Sequence, residues 1–250
     1  SPLSSGPSDI VTLPEGAKVS IRAEREGILG PWSPSTFSTG LSSIGQRFWT
    51  TDSSARDQNN QLVTGNLRVS SYKGTVQTDT SGTLTLPKGV RVNIRAERQS
   101  VRGPWQSKTF DETLSQLGPF FWTSATAAIN QHGNAVSDAV LRISGFYETV
   151  PTTPGSELSL PLGARVNIRP ERKGLRGAWN AFLFGDGLET IGDQFQTLDT
   201  VITESDSGNI LDGLLTISGF QGGSFPSGDE VTLPLGATIN VRAKVDGANG

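Results

Sequence analysis

Aromatic and amide side chains that recur at matched places are the groups in this 250-residue chain best suited to holding a ligand. Phe48 and Trp49 are adjacent, as are Phe121 and Trp122, and Phe195 with Gln196 occupies the same place a third time. Neighbouring residues of a strand face opposite sides. The phenylalanine persists, so it is expected in the core. Its neighbour changes to glutamine, so that position is expected to be partly wet. Trp49 and Trp122 are therefore candidates for an exposed aromatic platform that stacks on sugar rings or docks a partner. Contact between adjacent copies is the plainer expectation. Gln58, Asn59 and Asn60 in one loop, and Gln131, His132 and Asn134 in another, would offer hydrogen bonds to glycan hydroxyls, and they are also ordinary turn residues.

A second set is cationic. Arg22, Arg95 and Arg169 lie on the polar side of an alternating segment, and Trp32, Trp105 and Trp179 follow them. A neighbouring strand would let each guanidinium stack on its indole, at about 0.5–2 kcal/mol per pair. Recurrence in every copy suits architecture better than a single binding site. Arg25, Arg98 and Arg172 come next, preceded by Glu24, Glu97 and Glu171. A solvated charge ladder is expected, with an arginine patch for sulfated or carboxylated glycans as the functional alternative. Lys244 and Val245 break the ladder in the last copy.

Other chemistry lacks material. There is no cysteine and one histidine, so disulfides, thiolate nucleophiles and histidine-rich metal sites are not expected. The sequence has no nucleophile elbow, P-loop, dinucleotide fingerprint or His-Glu-x-x-His, and an enzyme is not expected. Asp52, Asp57 and Asn59, and Asp199, Glu204, Asp206 and Asn209, supply hard oxygens but not the spaced calcium loop. Turn chemistry accounts for them, and no cofactor is expected. A net charge of −3 gives no reason to expect nucleic acid. No apolar run approaches the ~18 residues of a membrane helix, so membrane insertion is not expected.

The elements that must position these groups are repeated. Segments beginning at Leu13, Leu86, Leu160 and Leu233 share a Leu-Pro-x-Gly start and an alternating tail, and they recur at nearly even spacing. Val92, Ile94 and Ala96 alternate with Arg91, Asn93 and Arg95, the pattern of a half-buried strand. Leu67/Val69, Leu141/Ile143 and Leu215/Ile217 mark another strand. Leu41/Ile44, Leu114/Leu117 and Leu188/Ile191 are i, i+3 pairs, each expected to form one short turn. With 30 Gly and 14 Pro, the chain is turn-rich. An all-β protein follows, built of tandem β-sandwich repeats of about 73 residues, with a β-propeller or another repeated β-barrel as the alternative. The expected division is 1–30 as a partial repeat (a cap or exchanged strands), then 31–103, 104–177 and 178–250 as β repeats.

Val19, Ile21 and Ala23 followed by Gly30, Pro31, Trp32 and Ser33 resemble the last two strands of a fibronectin type III-like, or immunoglobulin-like, β-sandwich. The resemblance is confined to this stretch of each copy and implies a sandwich fold. The expected function is a non-catalytic structural or adhesion protein on a cell surface, a secreted fibre or a virion such as a phage tail. Its expected partners are its own or neighbouring repeats. The alternative is a multivalent carbohydrate-binding module or lectin, with glycans as ligands. Repetition provides many weak contacts whose avidity exceeds any one of them.

Overall fold

The computed structural model describes residues 9–79 and 82–249. Their regular structure is all strand, in several small sheets with no closed barrel. The alternation of apolar residues dictates this outcome. In Arg91–Arg98 the side chains of Val92, Ile94 and Ala96 are buried while Arg91 and Asn93 are exposed. Arg165–Arg172 repeats the pattern with Val166 and Ile168. The corresponding strands Lys18–Ile21 and Val241–Val245 are only half-buried.

Two kinds of pairing recur. The first joins Phe48–Asp52 to Thr83–Pro87, Phe121–Ala125 to Glu157–Pro161, and Phe195–Asp199 to Glu230–Pro234, all antiparallel. The register is the same in each: the phenylalanine faces the proline that ends the partner strand. Proline suits that terminal place because it lacks a donor for further pairing. The second kind is a small sheet around the long strand. Arg165–Arg172 pairs with Ala139–Ile143 on one side and Asn180–Leu183 on the other, and with Leu175–Arg176 at its end. Gly163 makes the turn into this strand at φ +79°, and a Cβ there would fall 2.8 Å from the Pro104 ring. Only glycine takes that conformation in that space without strain.

The turns lie just before the i, i+3 pairs rather than over them, and they form without helix. The Leu114 N–H donates to Asp111 and the Leu188 N–H to Gly185, at 3.1 and 3.0 Å. Each turn then makes a parallel bridge to the strand end one copy earlier, Asp52 with Gln116 and Ala125 with Thr190.

By compactness the chain forms two units. The first holds the described residues through Ser54, with Leu67–Ile94 and Trp105–Gly118. Leu84, Leu86, Val92, Ile94 and Phe110 are buried in it. The second holds Ala55–Asn66, Arg95–Pro104 and Pro119 onward. Its largest core gathers Leu141, Ile143, Leu158, Leu160, Ile168 and Phe184 among others. Smaller cores form around Phe220 and Leu233, and around Phe195 with Ala128, Val136 and Ala139.

Candidate functional site

The candidate aromatic platforms are half-buried, not exposed. The Trp49 indole N–H donates to the Leu114 carbonyl at 2.8 Å. The Trp122 indole donates to Leu188 at 2.7 Å, and its ring lies on the core that holds Leu158 and Phe184. Each tryptophan thus ties its strand to the turn of the following copy. Ser124 adds a second donor to the same Leu188 carbonyl, at 2.8 Å. Gln196, at the matching place, is exposed. The phenylalanine expectation holds for two positions only: Phe121 and Phe195 are 0% and 1% exposed, but Phe48 is 42% exposed.

The amide loops sit beside these strands, and their glutamines are already engaged. Gln58 Nε2 donates to the Thr123 carbonyl at 2.8 Å, and the Thr123 N–H donates back to Gln58 Oε1 at 2.9 Å. Gln131 grips Thr197 in the same two-handed way, at 2.7 and 2.8 Å. Asp57 and Asn130 organise the two loops from beneath. Asp57 Oδ1 accepts the Asn59 and Gln61 N–H groups, and Asn130 Oδ1 accepts those of His132 and Asn134. Their other atoms reach the same threonines: the Thr123 hydroxyl donates to Asp57 Oδ2 at 2.7 Å, and Asn130 Nδ2 donates to the Thr197 hydroxyl at 2.8 Å. The carboxylate of Asp57 is therefore a turn former, as its sequence context implies. Asn59, Asn60, His132 and Asn134 remain exposed at the loop tips. His132 Nε2 lies 3.1 Å from Gln131 Nε2.

The exposed tryptophans are the ones assigned to architecture. Trp32, Trp105 and Trp179 are 59%, 47% and 47% exposed. Arg22 and Arg169 stack on Trp32 and Trp179, each guanidinium carbon 4.7 Å from the ring centre. Arg169 is steered there by Glu171, two positions on along the same strand face, at 2.7 Å. Arg95 makes the equivalent ion pair with Glu97 at 2.7 Å. Trp105 immediately precedes the strand Gln106–Thr109.

Two rungs of the charge ladder, Arg98 and Arg172, are pinned, while Arg25 is exposed. Arg98 Nη1 donates to the Ser159 carbonyl at 2.8 Å, while Nη2 meets Glu148 at 3.0 Å. Arg172 Nη1 donates to the Thr232 carbonyl at 2.5 Å, and Nε meets Asp138 at 2.6 Å. Each guanidinium also rests near a phenylalanine, Phe146 or Phe220, 5.8 Å from the ring centre. Planar arginine supplies both contacts at once, which lysine cannot do. Burial pushes the Asp138 carboxyl up, but the Arg172 hydrogen bond and charge outweigh it and hold it below its ordinary value. Glu148 is held low by the Gln99 amide and then by Arg98.

Two open hollows border the first unit's strands. One, of about 410 Å³, has Arg47, Lys88, Asp111 and Glu112 on its wall, with Lys88 paired to Glu112. The other, of about 490 Å³, is a groove along Gly45, Gln46, Arg47, Phe48, Trp49 and Thr50. Among the described residues no three His, Cys, Asp or Glu side chains gather in a way that would hold a metal ion. Among the described residues no helix is long and apolar enough to cross a membrane.

Sequence reasoning missed Thr123 and Thr197 and the turn carbonyls of Leu114 and Leu188. The recurrence of Gln58 at Gln131, one copy further on, was the available signal for the threonines. The carbonyls carry no side-chain signal at all. Comparisons with family profiles, with curated proteins and with solved structures give no match for this chain.

Proposed function

We propose that this is a non-catalytic structural or adhesion protein of tandem, fibronectin type III-like β-sandwich repeats. It belongs on a cell surface, in a secreted fibre or on a virion such as a phage tail. The repeats are 31–103, 104–177 and 178–250, with 1–30 as a partial copy. One observation carries this reading. The groups best suited to bind a ligand are spent on holding one copy to the next: Trp49 and Trp122 on turn carbonyls, Gln58 and Gln131 on threonine backbones. Such matched contacts suit a load-bearing series of modules. The test is antibody labelling of intact producing cells or particles, with a panel of glycosidase and esterase substrates for the purified chain. External labelling with no turnover is expected. Internal location, or turnover of any substrate, overturns the reading.

A second reading rests on the exposed indoles. Trp32, Trp105 and Trp179 recur at one place per copy, and Trp32 and Trp179 each carry an arginine on one face. The open surface of such rings suits stacking on sugars, which would make the protein a multivalent lectin. Glycan-array binding that disappears in the Trp32→Ala, Trp105→Ala, Trp179→Ala triple variant supports it. An array with no binding removes it.

A further inference from the structure

The copies share a short outer strand and differ in how its free edge is protected. The strands are Ser33–Thr36, Gln106–Thr109 and Asn180–Leu183, each directly after an exposed tryptophan. They pair on one side, with Lys18–Ile21, Arg91–Arg98 and Arg165–Arg172 in turn. The register fixes which peptide groups face outward. The Phe37, Phe110 and Phe184 N–H groups donate inward, to the carbonyls of Ala17, Val90 and Ala164. Alternation then turns the main chain of Pro34 and Thr36, of Ser107 and Thr109, and of Ala181 and Leu183 away from the partner strand. Among the described residues no further strand pairs with any of these three edges.

Open donors and acceptors invite a foreign strand, and proline or an inward-pointing charge guards against it. The first copy has the proline: Pro34 lacks the outward N–H. The second has the charge: Lys108 stands at a half-buried, inward place. The third has neither. Ala181 stands where Pro34 does, and Phe182, where Lys108 does, packs on the core of Leu158 and Phe184. Leu183, at the place of Thr36 and Thr109, is 52% exposed. Trp179, Ala181 and Leu183 thus make an apolar stripe along an unguarded edge.

We infer that the Asn180–Leu183 edge pairs antiparallel with the same edge of a second copy of this chain, about a two-fold axis at Phe182. The outward groups dictate the register: Ala181 of each chain faces Leu183 of the other, and each such pair exchanges both main-chain hydrogen bonds. On the exposed side small Ala181 lies opposite large Leu183, and each Trp179 reaches the other chain's Leu183 diagonally. Charge agrees with this pairing. It sets Asp186, exposed in the turn after the strand, beside the Trp179 end of the other chain. There Arg142, Arg169 and Arg176 gather around the single carboxylate of Glu171. Because both molecules use one edge, the interface is isologous and closes on a pair. The inference deepens the structural reading above and rests on it, naming the partner and the strand that meets it.

Sedimentation of the 250-residue chain at up to ~1 mM tests this, together with hydrogen exchange at the Ala181 and Leu183 amides. The wild-type mass average should rise to that of a dimer and stop there. Both amides should exchange about tenfold more slowly, or slower still, in the dimer. Ala181→Pro copies the first copy's edge and breaks no internal hydrogen bond. Association should weaken about thirtyfold or more, for two lost hydrogen bonds. Leu183→Thr, which copies the other two edges, should weaken it about tenfold. Ser107→Pro, the same change at a guarded edge, should associate like wild type. The inference is overturned if wild type stays monomeric, if association runs past a dimer, if Ser107→Pro abolishes it, or if Ala181→Pro with a wild-type melting curve associates undiminished. Should Ala181→Pro melt early, Leu183→Thr decides, and undiminished association there overturns the inference equally. A chain that stays monomeric yet labels the cell or particle exterior loses only this pairing. Turnover of a substrate sinks the structural reading and leaves the sedimentation result standing.

Discussion

The Gln131 side-chain amide pairs with the backbone of Thr197 through both of its ends, donating to the carbonyl at 2.7 Å and accepting from the N–H at 2.8 Å. A side chain here does what a neighbouring strand would do. It satisfies an edge donor and an edge acceptor together and so closes a strand edge that is otherwise open to foreign strands.

Replacing Gln131 by Ala should cost about 1 kcal/mol, since the freed groups on this exposed edge return to water. Gln131→Glu should cost more than Gln131→Ala, because a carboxylate would face the Thr197 carbonyl with no donor between them. Urea unfolding of the three proteins measures both differences. Equal stability of the Ala and Glu variants would refute the two-handed pairing.

Trp122→Phe keeps most of the ring and removes the N–H that meets Leu188. A loss of about 1–2 kcal/mol is expected, the cost of leaving a partly buried carbonyl short of a donor. Ser124 also donates to that carbonyl, so Trp122→Phe with Ser124→Ala should lose more than Trp122→Phe alone. Trp179→Phe, at an exposed ring, should change stability by under about 0.5 kcal/mol. Thermal melts of the variants suffice, and a larger loss at Trp179 than at Trp122 would invert the assignment.

Arg172→Lys preserves charge but not geometry. One ammonium cannot reach both the Thr232 carbonyl and Asp138 as the guanidinium does. A loss of about 1.5–3 kcal/mol is expected for hydrogen bonds to a charged group. Arg98→Lys should behave alike through Ser159 and Glu148. Equilibrium unfolding that finds either lysine variant as stable as wild type would show the grip to be idle.

Acid should loosen the same two places. Asp138 and Glu148 both have folded-state pKa values below their ordinary 3.8 and 4.5. A lowered carboxylate stabilises the fold above its unfolded pKa and stops doing so as pH falls through its folded pKa. The melting-temperature gap between wild type and Asp138→Asn/Glu148→Gln should therefore be full near neutral pH and shrink below about pH 4. A gap that widens on acidification would contradict this assignment.

Local periodicity made much of the fold legible. Val92, Ile94 and Ala96 announce their strand because burial on one side is a property of that segment alone. Gly163 and the prolines mark turns for the same reason. Burial that depends on a distant segment was not legible. Trp49 looked exposed because Gln196 stands at its third occurrence, yet its partner is a main-chain oxygen 65 residues away. Phe48 looked buried because a phenylalanine persists at 121 and 195, but the burial of those two comes from the loop before them. Arg98 and Arg172 looked as solvated as Arg25 because their real acceptors, at Ser159 and Thr232, are again main-chain atoms. Gln58 and Gln131 were singled out as hydrogen-bonding groups from their chemistry, and only the identity of what they hold required coordinates.

Trp49, Trp122, Gln58, Gln131, Arg98 and Arg172 all grasp peptide groups. A peptide group is identical in every residue, so the side chains at positions 114, 188, 159 and 232 are free to drift without loosening the grasp. Contacts of this kind let the surface around positions 114, 188, 159 and 232 diversify in evolution while the couplings themselves persist.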